Sequence, residues 1–126
     1  MSTEKPLNKP TLVVGASTNP DRYAYKAITQ LRANQHSVVA YGLKKGTVSD
    51  VAINTELPTP NSIDTITLYV GPERQAELII PLLNLNPRRI IFNPGTENPL
   101  FEEKAQAAGI RTERACTLVL LATHAY

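Results

Sequence analysis

The chain has 126 residues, 42% apolar and 19% charged, with a formal net charge of +2. That length is close to one common domain, and the balance of residue types excludes disorder, collagen-like repeats and fibrous coils. So slight a positive charge excludes the strongly basic face or arm of a nucleic-acid binder, and any cationic site must be local.

Residues 1–10 carry two prolines and two lysines without periodicity. They read as a flexible N-terminal arm, polar rather than signal-like, which leaves one domain over residues 11–126. Residues 11–16 (TLVVGA) form a short β-branched apolar run closed by Gly15, the pattern of a central strand buried on both faces. Asn19 is expected to cap a helix with Pro20 in its first position and Asp21 beside its positive end. Ala24, Ala27, Ile28 and Leu31 then recur at helical spacing. Residues 37–42 (SVVAYG) form a second buried strand beyond a turn at residues 34–36, so strand, helix and strand make a right-handed βαβ unit.

Residues 44–60 read as irregular, with a short pairing near residues 51–53. Residues 63–70 are the third strand, with Ile66, Leu68 and Val70 on one face and Thr65, Thr67 and Tyr69 on the other. Its helix begins near Pro72 and shows Ala76, Ile79, Ile80 and Leu83 on one face, with Pro81 expected to kink or end it. A fourth strand at residues 90–92, a helix capped by Asn98 and Pro99 and stopped by Gly109, and a fifth strand at residues 110–113 complete the alternation. Residues 118–121 are apolar and of undecided type. This order predicts an α/β fold, a Rossmann-like doubly wound parallel sheet of about five strands, with any ligand outside the carboxyl ends of the strands. No apolar run approaches the roughly 18 residues that span a bilayer, so a cytoplasmic protein without membrane contact is expected. The single cysteine, Cys116, fits a reducing compartment and excludes a cysteine-built metal site.

Chemistry should therefore lie in the strand-to-helix loops. In the first, Gly15 permits a tight turn and the helix start behind Asn19 offers amide donors, which suits a phosphate. The dinucleotide fingerprint G-x-G-x-x-G is not met, because Ser17 and Pro20 stand where its later glycines would be, and a plain turn and cap is the alternative. After the second strand, no Asp or Glu occurs between Arg22 and Ser49 to hold a bare ribose. Lys44 and Lys45 instead stand between Gly42 and Gly46, favouring a phosphorylated ribose as in CoA or NADP; a solvated turn is the bland alternative. Tyr69 precedes Gly71 and Pro72 and would lean over a ligand or simply pack. Asn93, Pro94 and Gly95 open a loop whose two prolines fix a shape able to present polar groups, or only a turn.

Catalytic candidates are few. Glu97 is the best placed but suits the first turn of a helix; His36 lies at the opposite end of its strand, His124 in the tail, and Cys116 among apolar neighbours. No nucleophile, general base or metal ligand is assigned.

Taken together, four stretches carry a likeness: Val14, Gly15, Ala16 and Ser17 with Asn19 and Pro20; Tyr41 and Gly42 followed by Lys44, Lys45 and Gly46; Tyr69 and Val70 with Pro72; and residues 92–97 (FNPGTE), with residues 115–118 (ACTL) after the fifth strand. Over residues 11–121 the chain resembles the CoA-binding domain family, the module also found at the amino end of the succinyl-CoA synthetase alpha subunit, and especially its small stand-alone bacterial members. The resemblance implies that Gly15, Ala16 and Ser17 wrap CoA phosphates and that Lys44 or Lys45 meets the phosphorylated adenosine end. It implies that Tyr69, Val70 and Pro72 line the passage and that Asn93, Pro94 and Gly95 face the pantetheine arm. The synthetase's second domain, with its phosphorylated histidine, has no counterpart here, so ligase activity is not implied. The expectation is a carrier, sensor or accessory module for CoA or an acyl-CoA, acting alone, as a homodimer or with a partner enzyme; an NADP-binding oxidoreductase or sensor is the alternative.

Overall fold

Four consecutive buried residues, Thr11–Val14, form β1 at the centre of the sheet in the computed structural model, which describes residues 8–126. A strand covered on both faces has no solvent side to mark with polar residues, which is why it reads TLVV. β1 pairs in parallel with β2 (Val38–Tyr41) on one side and β5 (Thr65–Leu68) on the other. Beyond β2 lie β4 (Val51–Asn54), parallel to it, and β3 (Gly46–Val48), antiparallel at the edge. Beyond β5 lie β6 (Arg89–Phe92) and β7 (Arg111–Arg114), both parallel. The order β3-β4-β2-β1-β5-β6-β7 makes seven strands, correcting the expected five. The additions are the β3–β4 hairpin, in the stretch read as irregular, where β4 contains the short pairing expected near residues 51–53. Its inward side holds only Val48, Val51 and Ile53 around a turn at Ser49 and Asp50, too short a run to stand out as alternation.

Helices cover both faces. On one, α1 (Tyr23–Ala33) buries Ala24, Ile28 and Leu31 against Val13, Ala40 and Ile53, joined by Leu121 of α5 (Thr117–Ala122). That helix settles the undecided segment at residues 118–121. On the other face α2 (Pro72–Gln75), α3 (Ile79–Leu83) and α4 (Pro99–Ala107) cover Leu12, Leu68 and Ile90. Phe92 and Phe101 meet edge to face there, ring centroids 5.3 Å apart. Asn98 caps α4 as expected, its Oδ1 accepting from the Phe101 amide. Gly109 follows α4 at φ +79°.

The expected single helix after β5 is two short ones. Pro81 sits third in α3, where its missing N–H costs nothing, and the break falls at residues 76–78, around the Glu77 carbonyl that its ring would meet in a continuous helix. The break also rotates the apolar face, so Ile79 and Leu82 are buried while Ile80 is 58% exposed.

Residues 1–7 of the expected arm lie outside the described residues. Its last three are tied into the fold: Asn8 exchanges hydrogen bonds with Ser37, the Lys9 amide donates to His36 Nδ1, and the Pro10 carbonyl accepts from the amides of Asp64 and Thr65. Among the described residues no helix is long and apolar enough to cross a membrane.

A crevice at the carboxyl edge of the sheet

The chain winds one way from β1 through α1 to β2 and the other way from β5 to β6, so the reversal lies between β1 and β5. The loops leaving these strands diverge and leave a crevice. Gly15 ends β1 at φ +94°, and a β-carbon there would stand 2.9 Å from Val70 Cγ1, so only glycine lets the β1–α1 loop lie this close to the exit of β5. Gly42 plays the same part on the other flank, with a β-carbon 2.5 Å from the Ala16 carbonyl oxygen. These approaches bring the Lys44–Lys45 loop against the glycine turn.

The resulting cavity is about 1030 Å³. Gly15, Ala16 and Ser17 line it at one wall, with Lys44 and Lys45 beside them. Tyr69, Val70, Pro94 and Gly95 line the β5 and β6 side. Nine of the expected site residues thus share one space, and three do not border it. Asn19 is exposed and shapes its own loop: its Oδ1 accepts from the Asp21 amide and its N–H donates to Ser17 Oγ. It does not cap α1, which starts at Tyr23 behind Arg22, because the side chain bonds to its nearer amide instead. Pro72 starts α2 and is exposed. Asn93, 2% exposed, is internal: Nδ2 donates to Thr67 Oγ1 at 2.7 Å and the Leu68 carbonyl at 2.8 Å, and Oδ1 accepts from the Thr117 amide at 2.9 Å.

The glycine turn differs in one respect from the simple cradle expected of it. The Gly15 and Ala16 amides both donate to the Tyr41 carbonyl, holding the loop to β2. Amide donors for an anion must come from Ser17 and Thr18, which make no internal amide hydrogen bond among the described residues.

Four residues missed in the sequence also border the crevice: Arg22, Tyr23, Leu43 and Arg74. Arg22 precedes the first residue of α1, and Arg74 stands in sequence between Glu73 and Glu77. Neither spacing signals a ligand. Among the described residues Arg22, Lys44, Lys45 and Arg74 have no acidic partner within 4.0 Å, whereas Arg32, Arg88, Arg89, Arg111 and Arg114 all do. Glu73 and Glu77 are the acidic residues of the lining. Leu43 and Tyr23 are 79% and 65% exposed, large apolar groups facing water at the mouth.

Titratable chemistry inside the crevice is sparse. The Tyr69 hydroxyl is buried without a hydrogen bond, and that burial pushes its pKa up to about 12, so it stays neutral. Glu97 Oε1 accepts from the Gly95 amide and orders its loop. Cys116 is partly buried ahead of α5. His36 is buried at the amino edge of the sheet and His124 is exposed. No cluster of His, Cys, Asp or Glu able to hold a metal occurs among the described residues. A smaller cavity of about 310 Å³, bordered by Tyr25, Lys26 and Leu118, lies between α1 and α5; it lacks the glycine turn and the cation set.

Residues 9–122 match the model of the CoA binding domain. The chain belongs to that family. A crystal structure of an uncharacterized protein is 40% identical, with a TM-score of 0.91 over 95% of this chain and 99% of that one. A protein from Thermus thermophilus is 21% identical, with a TM-score of 0.81 over 94% and 91% of the two chains. A hypothetical protein from Pyrococcus horikoshii OT3 is 24% identical, with a TM-score of 0.80 over 89% and 80%. These last two share the fold of this CoA-binding domain. No curated protein matches the chain.

Proposed function

We propose that this CoA-binding domain holds coenzyme A or an acyl-CoA in the crevice as a non-catalytic carrier, sensor or accessory module. One observation carries the reading: four unpaired cations and the Ser17–Thr18 amides converge on a single cavity at the switch point of the sheet. Unpaired cations around a concavity attract an anion with several charges, and a nucleotide diphosphate with a further ribose phosphate supplies them. Lys44 and Lys45, on the β2 side, are the groups for the ribose phosphate. Ser17, Thr18 and Arg22 suit the diphosphate, and the exposed faces of Tyr23 and Leu43 suit the adenine. The uncharged arm then runs across the switch point past Val70 to Pro94 and Gly95. Asn93 supports this path from below by joining β5, β6 and the start of α5.

NADP, which also carries a ribose phosphate, is the competing ligand, disfavoured by Ser17 in place of the second glycine of the dinucleotide fingerprint. Calorimetry with CoA, acetyl-CoA, dephospho-CoA and NADPH tests the reading. Tight binding of CoA with clear loss for dephospho-CoA is expected. Preference for NADPH, or no binding of any of the four, overturns it.

A further inference from the structure

Gln75 is a polar side chain with no exposed surface, in a helix of only four residues. Such a group persists only where its donors and acceptor are met. Here all are. Its Nε2 donates to the Val70 carbonyl at 2.9 Å and the Thr96 carbonyl at 2.8 Å, and its Oε1 accepts from Asn98 Nδ2 at 2.9 Å. Val70 belongs to the loop leaving β5 and Thr96 to the loop leaving β6, and both line the crevice. Asn98 in turn caps α4. One buried amide therefore ties the two loops on that side of the switch point to each other and to the helix behind them. Among the described residues no backbone hydrogen bond joins residues 69–72 to residues 94–97.

We propose that Gln75 is a positioning residue that clasps these two loops and sets the crevice width at which the uncharged arm of the ligand is held. The inference rests on the crevice taking a CoA-type ligand. Three of the four cations, Arg22, Lys44 and Lys45, stand on the β1 and β2 loops away from the clasp, and only Arg74 shares α2 with Gln75, so loss of the clasp falls chiefly on the arm and not on the nucleotide.

The test is calorimetry of the wild-type chain, Gln75→Met and Gln75→Glu with two ligands: CoA, and the adenosine bisphosphate fragment that lacks the arm. Met keeps the length and removes every hydrogen bond. Glu, whose carboxyl buried between two carbonyls is held in the protonated form, keeps the acceptor for Asn98 and one of the two donors, which provides a milder variant should Met fail to fold. Expected is roughly tenfold weaker CoA binding in the folded variants, the scale of one or two lost buried hydrogen bonds, with the fragment changed by less than about twofold. Equal losses for both ligands, or unchanged CoA binding, overturn the assignment. Hydrogen exchange of the ligand-free proteins separates this from the function itself. If the wild-type chain binds neither ligand, the reading of the crevice fails, while faster exchange of the Gly95 and Thr96 amides in the variants still supports the clasp. Unchanged exchange there sinks the clasp.

Discussion

The rings of His36 and Tyr126 meet 4.9 Å apart, tilted by 58°, at the amino edge of the sheet. Burial, then the charges of Lys9 and Arg89, lowers the His36 pKa from its ordinary 6.5, with Asp64 opposing. Its Nδ1 accepts from the Lys9 amide, so a proton there would also remove a hydrogen bond. The unfolded chain binds the proton more readily than the folded one, so the contribution of neutral His36 is present above pH 6.5 and is lost as pH falls through the folded pKa. Thermal melts of the wild-type protein should therefore fall between about pH 7 and pH 5. His36→Gln, which has no proton to gain, should flatten that segment. The carboxylates of Asp64 and Glu102, held low by Arg88 and Arg114, are lost in a more acidic range and leave this window clear.

Gly42→Ala should disturb the site through its frame. The added methyl has the Ala16 carbonyl in its way, a backbone atom that cannot swing aside. A stability loss of about 1–3 kcal/mol is expected in chemical denaturation. Anion affinity should fall with it, because the lysine loop moves off the glycine turn.

Lys44→Ala with Lys45→Ala should do the reverse. Both side chains are exposed and unpaired, so the melting temperature should stay near that of the wild type. CoA binding should weaken roughly tenfold or more, and dephospho-CoA binding much less. Titration of both ligands checks this, and equal losses would remove the ribose phosphate from the lysines.

Asn93→Ala deletes three buried hydrogen bonds and strands the Thr117 amide, while the Thr67 hydroxyl keeps only its bond to the Thr117 hydroxyl. A loss of about 2 kcal/mol or more is expected in denaturant melts. Asn93→Asp keeps the acceptor for Thr117 but turns a carboxylate toward the Leu68 carbonyl. It should be destabilised further as pH rises and the buried acid ionises.

The parts of this molecule that showed in its sequence are those where one physical demand dominates. Thr11–Val14 had to be apolar throughout because both faces are covered, and Asn98 and Pro99 announce a helix start by their chemistry. Of the β3–β4 hairpin only a short pairing near residues 51–53 showed, since three inward residues around a turn otherwise resemble a loop. Of the site, the glycines and lysines were legible because each has a narrow set of uses. Arg22 and Arg74 were not, because what sets them apart is the lack of a nearby acid, a property of folded space rather than of spacing along the chain. Asn93 was noticed for its loop, yet its side chain serves the interior, since a side chain's direction is fixed by partners such as Thr67 and Thr117 that lie far away in sequence.

The hairpin has a kinetic meaning for the lysines. The Gly42 amide is bonded to the Asn54 carbonyl and Gly46 is registered against Ile53, so only three residues, Leu43, Lys44 and Lys45, span the interval. A bridge that short and anchored at both ends leaves its backbone little freedom to surrender when a ligand arrives. The loop backbone that carries the ammonium groups thus stands in place before the encounter, and capture should need only side-chain adjustment, without waiting for a segment to rearrange.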